Sequence, residues 1–204
     1  MLKKSPTELT ERENYKLLIG SVIPRPVAVV ATKSKEEIIN IAPFSYFNIV
    51  SSNPPILSLA IQRKEGKLKD TARNILDTKE AVIHILDEDN LEEANKTAAN
   101  LSQEESELSL TEFSVKDSNT IAVPALEEAK VHFETRLYDH LAIIKDQETT
   151  ADLFLLKVTE YHLDESVYDE KTGRIDPVKL GAISRLAGND YATIGDIINI
   201  PRPE

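Results

Sequence analysis

Cysteine and tryptophan are both absent from this chain of 204 residues. Without cysteine there is no disulfide bond, no thiol nucleophile and no cysteine-ligated iron–sulfur cluster. Aromatic residues are few, at 5% of the chain, and comprise six tyrosines and five phenylalanines. Any local concentration of aromatic rings therefore requires a physical explanation.

Long apolar runs and an excess of positive charge are absent as well. No stretch is long and apolar enough for a transmembrane helix, and the opening residues, MLKKSPTELTERENYK, lack the apolar centre of a signal peptide. We therefore expect a cytoplasmic protein with no membrane partner. The formal net charge of −11 favours repulsion of nucleic acids, so no nucleic-acid partner is expected either.

Hydrophobic patterning predicts a mainly β fold. Short helices are predicted over 11–18, after a capping box at residues 10–13, and over 70–78, with Asp70 as the N-cap. Helices and strands do not alternate regularly, which favours an antiparallel barrel with short helical decorations over a doubly wound parallel sheet. One domain is predicted over residues 1–204. An apolar, β-branched run predicts a buried strand at 27–32, and further strands are predicted at 38–41, 56–62, 81–86, 131–144 and 152–163.

The segment RKEGKLKDTARN (63–74) concentrates positive charge in an acidic chain. It leads directly into the predicted helix over 70–78, whose free N–H groups and dipole favour an anion. Thr71 and Asn74 add side-chain donors. The segment is therefore a candidate phosphate site, and the alternative is a solvated loop before an ordinary capped helix. Its cations are Arg63, Lys64, Lys67, Lys69 and Arg73, against Glu65 and Asp70.

The segment NIAPFSYFNIVSSNPP (40–55) concentrates aromatic rings, because Phe44, Tyr46 and Phe47 lie within four residues. Ser45 and Asn48 add polar groups beside them. Such a stretch suits a flat heterocycle with a polar edge. The alternative is a core strand, with Ser45 and Phe47 on one face and Phe44 and Tyr46 on the other. Periodicity alone does not separate the two.

Several common site signatures are missing. There is no G-x-G-x-x-G after a strand, no Walker A loop and no G-x-S-x-G elbow. The segment 87–98 begins like a calcium loop but lacks the central glycine and the final glutamate. The four histidines, His84, His132, His140 and His162, have no metal-ligand spacing. Structural roles are therefore favoured for them, and no metal site is predicted.

Four blocks occur in order along the chain: IPRPVAVVAT (23–32), NIAPFSYFNIVSSNPP (40–55), KDTARNI (69–75) and RLAGNDYATIGDI (185–197). Together they resemble the flavin reductase-like family of FMN-binding split-barrel proteins, in the branch that includes flavoredoxin. The resemblance covers nearly the whole chain. Each block alone would be a weak signal.

The resemblance implies a six-stranded antiparallel Greek-key split β-barrel that works as a homodimer, with FMN near the subunit interface. Arg25 stands at a family position before the first long strand, and Arg185 opens a late block that closes either the pocket or the dimer. The flavin ring would lie against Ala42, Pro43, Phe44, Ser45, Tyr46, Phe47 and Asn48. The phosphate would lie near Lys69, Asp70, Thr71, Arg73 and Asn74, with Arg63 just upstream.

In function, the resemblance implies an NAD(P)H-dependent FMN oxidoreductase, in which hydride passes to flavin N5 and electrons then pass to an acceptor, either free flavin or a redox protein. The chemistry would belong to the flavin, so no catalytic side chain is predicted. Two alternatives remain open at this point. One is a flavoredoxin-type electron carrier with tightly bound FMN, and the other is a module that binds flavin only as a sensor or store.

Overall fold

The computed structural model describes residues 1–203 as a mainly β protein with four short α-helices. The strands are β1 (Arg25–Pro26), β2 (Ala28–Lys33), β3 (Ile39–Phe44), β4 (Phe47–Ser52), β5 (Pro55–Gln62), β6 (Glu80–Ile85), β7 (Val115–Lys116), β8 (Ala125–Leu126), β9 (Val131–Lys145), β10 (Glu148–Leu163), β11 (Tyr168–Asp169), β12 (Arg174–Ile175), β13 (Ser184–Arg185) and β14 (Tyr191–Ala192). The helices are α1 (Glu11–Ser21), α2 (Asp70–Thr78), α3 (Leu91–Lys96) and α4 (Pro177–Leu180), with 3-10 turns at Pro6–Glu8 and Glu107–Leu110.

Seven strands form the main sheet, in the order β3-β2-β6-β9-β10-β5-β4, and all neighbours are antiparallel. The chain itself joins the two ends of this order, because only Ser45 and Tyr46 separate β3 from β4. The carbonyl of Tyr46 accepts a hydrogen bond from the Ala60 N–H at 2.8 Å, which ties this link to β5. The sheet therefore curls into a barrel, and we call residues 44–47 its seam.

The mainly β antiparallel barrel predicted from the sequence is confirmed. The main sheet has seven strands rather than six because the segment 39–52 bends at the seam. Its first half pairs with β2 and its second half pairs with β5. The β1–β13–β14, β7–β8 and β11–β12 pairings lie outside this sheet.

Strand β2 is buried on both faces, which explains its unbroken apolar sequence. Ala28 and Val30 contribute to the core inside the barrel. Val29 and Ala31 contribute to a second core outside it, together with side chains from α3 and the segment 121–126. A strand between two cores has no solvent face and therefore needs no polar alternation.

The longest strand pair, β9 and β10, is joined by a two-residue turn at Asp146 and Gln147. Both residues have positive φ, at 50° and 71°. A two-residue connection of this kind is a type I′ hairpin turn, whose twist matches that of the strands. The turn lacks the glycine that usually signals this geometry, so the sequence predicts the two strands without their connection.

Helix α1 begins with the predicted capping box. The Glu13 N–H donates to the Thr10 hydroxyl at 3.3 Å, and the Thr10 N–H donates to the Glu13 carboxylate at 2.9 Å. The helix runs three residues beyond the predicted end at Leu18 and stops before Pro24, which disfavours helical backbone in the preceding residue. None of the helices in residues 1–203 is long and apolar enough to cross a membrane.

Helix α2 spans the predicted range, but the prediction of Asp70 as its N-cap was wrong. Lys69 occupies the cap position and makes no side-chain capping bond, and Asp70 is the first helical residue. The Asp70 carboxylate instead pairs with Arg73 one turn later. The first N–H groups of this helix therefore have no side-chain cap.

Three histidines on adjacent strands form a row on the outer side of the barrel. The ring centroids of His84 and His132 lie 5.4 Å apart, and those of His132 and His162 lie 4.4 Å apart in a stacked arrangement. His84 is hydrogen-bonded at both nitrogens, whereas neither buried ring nitrogen of His132 has a partner among the described residues. Burial, together with the neighbouring His162, lowers the pKa of His132 to about 4.

Ligand atoms of Glu134, Glu160 and His162 lie within 4.8 Å of one another, a grouping that the sequence did not indicate. The carboxylate oxygens of Glu134 are already acceptors for the N–H groups of Asn119 and Thr120, the Thr120 hydroxyl and His162. Although burial opposes ionisation, these bonds lower the pKa of Glu134 to about 2. Glu134 therefore binds the loop at residues 119–120 to the sheet, and we assign no metal to it.

Replacing His132 with phenylalanine should make the fold less sensitive to acid. The folded pKa of about 4 lies below the ordinary value of 6.5, so the unfolded chain takes up a proton first as the pH falls. This group should remove about 2 kcal/mol of unfolding free energy between pH 7 and pH 5. The free energy of unfolding of His132→Phe should fall by that much less over the same pH range. Urea unfolding at both pH values measures the difference, and an equal pH dependence in the two proteins would contradict it.

Candidate functional site

One cavity brings together the seam, the start of α2 and the β13–β14 hairpin, which are far apart in sequence. Its volume is about 300 Å³, at the lower end of the range for small-molecule sites. The seam contributes Phe44, Ser45 and Tyr46, the start of α2 contributes Lys69, and the hairpin contributes Arg185. We call this space the seam cavity.

The seam cavity is free of acidic side chains among the described residues that line it, although the chain has a net charge of −11. Its charged residues are Lys69 and Arg185. A second cavity, of about 270 Å³ on another side of α2, is lined by two aspartates and two glutamates besides its cations. The seam cavity is therefore the one of these two suited to an anion.

Lys69 is placed for anion binding by its position at the N-cap of α2. Its Nζ lies 5.6 Å from the centroid of the Phe44 ring. Partial burial lowers the pKa of Lys69, and the nearby charge of Lys64 lowers it further. No ion pair to Lys69 is present in residues 1–203, and the first N–H groups of α2 beside it are uncapped.

A further cavity, of about 210 Å³, continues from the seam cavity toward α2. The two share Pro43, Phe44, Lys69 and Ala98 in their walls. The continuation is also lined by Thr71 and by the charged residues Lys64, Asp70 and Glu107. A ligand with a flat ring and an anionic tail would therefore find aromatic and cationic surfaces in one connected groove.

The aromatic segment serves both as core and as site wall. Phe44 and Phe47 are buried and pack inside the barrel. Ser45 and Tyr46 are half-buried and line the seam cavity. Burial raises the pKa of the Tyr46 phenol. The core alternative assumed one regular strand, whereas the bend sends Phe44 and Phe47 to the same core. Ala42 and Pro43 lie in β3, and Asn48 is exposed in β4 away from the seam cavity.

Arg25 lies under the seam rather than in its cavity. Its buried guanidinium donates to the carbonyls of Ile19, Val22 and Leu186 at 2.6–2.8 Å, and its Nε–H donates to the Ser45 hydroxyl at 3.4 Å. These bonds connect α1, the seam and the β13–β14 hairpin. These partners already engage Nε and both terminal nitrogens of Arg25. A direct contact between Arg25 and a cofactor therefore stays a prediction.

Arg63 is held away from α2 by the fully buried Asp152. Its Nε–H and an Nη–H donate to the two Asp152 oxygens at 2.7 and 2.9 Å, and His140 makes a third bond to this carboxylate at 2.9 Å. Although burial opposes ionisation, these bonds lower the pKa of Asp152. The sequence carried no local sign of a partner 89 positions away.

Helix α2 divides the K-D-T-x-R-N block between different surroundings. The Thr71 hydroxyl donates to Asn40 at 2.7 Å, and the Asn74 amide donates to Thr32 at 3.1 Å, so both side chains belong to a buried network. Arg73 lines the acidic second cavity and pairs with Asp70. Of this block, Lys69 alone lines the seam cavity among the described residues.

Arg185 acquires a clearer role from the structure. Its guanidinium carbon lies 4.3 Å from the centroid of the Tyr191 ring, and it donates to the Gly188 carbonyl. These contacts hold it in the wall of the seam cavity. Gln62 and Asn95 also line the cavity, but no motif in the sequence marked either of them.

A protein-family model described as "Flavin reductase like domain" matches residues 19–179. The match includes the seam and α2 and ends before β13. It covers more than half of the chain.

Three solved structures extend this comparison. Nitrilotriacetate monooxygenase component B from Bacillus cereus is 43% identical, with a TM-score of 0.95 over 98% of both chains. The 2-nitrobenzoate 2-nitroreductase NbaA from Pseudomonas fluorescens is 28% identical, with a TM-score of 0.87 over 99% of this chain and 96% of its own. A split-barrel domain protein from Shewanella frigidimarina is 16% identical, with a TM-score of 0.84 over the whole of both chains, which shows the fold alone. The predicted split barrel is thereby confirmed.

Replacing Arg25 with lysine should loosen the seam. An ammonium lacks the planar fork that reaches several carbonyls at once, so buried acceptors on α1 and near β13 lose their donors. We expect a loss of about 2 kcal/mol of unfolding free energy, with faster hydrogen exchange in α1 and the β13–β14 hairpin. Arg12→Lys, on the exposed surface of α1, is the matched control. Equal stability of the two variants would contradict this role.

Proposed function

The chain belongs to the flavin reductase-like family, and we propose that it is an oxidoreductase that binds FMN in the seam cavity and reduces it with NAD(P)H. The observation that carries this proposal is the cavity itself. It combines aromatic walls with Lys69 and Arg185 and lacks acidic side chains among the described residues, in a strongly acidic protein.

The residues present fit FMN at both of its ends. The uncapped N–H groups of α2, beside Lys69, suit the phosphate. Pro43, Phe44 and Tyr46 offer apolar and aromatic surface for the isoalloxazine ring, and the backbone of the seam offers donors for its polar edge. Arg63, Thr71 and Asn74 support this arrangement through their own buried bonds rather than as phosphate ligands.

FMN, when bound, would supply the redox chemistry: it would accept a hydride and later pass the two electrons to an acceptor, with release of the proton. The protein's part is to bind, orient and desolvate. Lys69 and Arg185 bring positive charge without a neutralising carboxylate in the same cavity, which favours negative charge on a bound ring. No histidine or carboxylate lines the cavity among the described residues, so we assign no side-chain acid or base.

The reductant and acceptor are part of the same proposal. NAD(P)H is the hydride donor, and free flavin or a redox protein accepts the electrons. The likeness to a monooxygenase component B supports an acceptor supplied with reduced flavin. The likeness to a nitroreductase supports direct reduction of a small aromatic substrate as the second candidate.

We also propose that the protein works as a homodimer. Ile49 is 75% exposed and Tyr161 is 55% exposed. Both line a mostly apolar cavity of about 430 Å³, together with side chains of β5 and core residues such as Leu57 and Val158. Apolar surface of this extent is a common mark of a protein interface.

Anaerobic reduction tests the activity directly. The purified protein with FMN should lose its absorbance near 450 nm when NADH or NADPH is added, because the nicotinamide delivers a hydride to the bound ring. Reduction by dithionite but by neither nucleotide would favour an electron carrier instead. Failure to bind added FMN would overturn the proposed function.

Replacing Lys69 with alanine should weaken FMN binding by about 1–3 kcal/mol, because a charge-assisted hydrogen bond to the phosphate is lost. Arg63→Ala should leave the FMN affinity within about twofold and instead lower stability by about 3 kcal/mol, since Asp152 is left buried without its cation. Lys67→Ala, an exposed lysine in the same loop, is the control. Fluorescence titration and urea unfolding measure the two effects.

Two other outcomes for Lys69→Ala and Arg63→Ala would contradict the proposed phosphate position. If Arg63→Ala weakens FMN binding as much as Lys69→Ala does, the phosphate lies closer to Arg63 than we propose. If neither variant changes the affinity, the phosphate lies elsewhere in the groove.

A further inference from the structure

Glu107 is a buried carboxylate without a cationic partner among residues 1–203. It is 6% exposed and lies in the short turn Glu107–Leu110. One oxygen accepts the Asn40 side-chain amide and the other accepts the Ile41 N–H, both at 2.9 Å. A buried charge held only by neutral donors costs free energy, so the site requires a reason for it.

The bond to Ile41 protects an exposed sheet edge. β3 is an edge strand of the main sheet, and the Ile41 N–H points away from β2. Glu107 takes the place of a missing neighbouring strand at this position. Pro43, the next residue with the same orientation, has no N–H to satisfy. The outward-facing edge of β3 therefore has no unsatisfied N–H group at either position.

The bond to Asn40 continues into α2. The side-chain oxygen of Asn40, Oδ1, accepts a hydrogen bond from the Thr71 hydroxyl at 2.7 Å, and Thr71 is the second residue of the helix. Thr71 is 1% exposed and Asn40 is 8% exposed, so water does not replace these bonds easily. The chain Glu107–Asn40–Thr71 joins the edge of β3 to the first turn of α2.

We propose that Glu107 is a positioning residue of the cofactor site, which fixes the N-terminal turn of α2 relative to the seam. The inference rests on the proposed function, in which Lys69 and the first N–H groups of α2 bind the FMN phosphate. Glu107 also lines the continuation of the groove, beside Lys69 and Asp70. It acts through Asn40 and Thr71 and needs no contact with FMN.

Glu107→Ala should raise the FMN dissociation constant at least tenfold, measured by fluorescence titration at a temperature where circular dichroism shows the variant folded. Glu107→Gln keeps one acceptor but turns an amide NH2 toward one of the two N–H donors, so its FMN dissociation constant should lie between those of wild type and Glu107→Ala. Glu104→Ala, an exposed glutamate in the same loop, is the control and should bind as wild type does.

A double-mutant cycle tests the route. Thr71→Val removes the hydroxyl that bonds Asn40 and should also weaken FMN binding. In the double variant with Glu107→Ala, the FMN dissociation constant should rise by less than the product of the two single fold-changes, because both substitutions break the same chain of bonds. Fully multiplicative effects would overturn the route through Asn40.

Hydrogen exchange of the apoprotein separates this inference from the proposed function. Residues 73–75, whose N–H groups make the first backbone hydrogen bonds of α2, should exchange faster in Glu107→Ala than in wild type, whether or not FMN is the cofactor. Lower stability with unchanged FMN affinity and unchanged exchange at 73–75 would mean that Glu107 is only structural. If Glu107→Ala does not fold, Glu107→Gln and Thr71→Val decide, and wild-type affinity and exchange in both would overturn the inference. If wild type itself binds no FMN, the proposed function fails and the exchange result still decides the role of Glu107.

Discussion

The whole architecture depends on one constraint, which is that a single continuous segment must supply both edges of the main sheet. Residues 39–52 pair with β2 on one side and with β5 on the other, so the chain has to bend sharply between them. The bend places two phenylalanines in the core and leaves Ser45 and Tyr46 at the surface of a cavity. The candidate site thus lies where the barrel closes, and Arg25 and Ala60 hold that closure in place.

Helix α2 is the second organising element, because it separates two kinds of electrostatic surroundings. Lys69, at its start, faces the seam cavity, whereas Arg73, one turn later, faces a cavity rich in carboxylates. A cluster of cations that looks uniform in sequence is therefore divided by the geometry of the helix. Only the part free of acidic neighbours offers a net positive surface to an anionic ligand.

Much of the fold follows from local sequence patterns. The capping box before α1, the apolar run of β2 and the range of α2 all depend on residues a few positions apart, and the structure contains each of them. The partners of Arg63 and Glu107 were not predictable, because they lie 89 and 66 positions away and no local rule selects them. The aromatic and cationic blocks indicated the site, but the choice among their members required tertiary structure.

The contrast between an acidic protein and an acid-free cavity has a kinetic consequence. At a distance, an anionic nucleotide meets the field of a molecule with a net charge of −11 and is repelled. Close to the cavity it meets Lys69 and Arg185 instead. Salt screens the long-range repulsion first, since the Debye length is about 10 Å at 0.1 M ionic strength. Moderate salt should therefore speed the capture of such a ligand, the reverse of the behaviour of a protein that attracts its anions from afar.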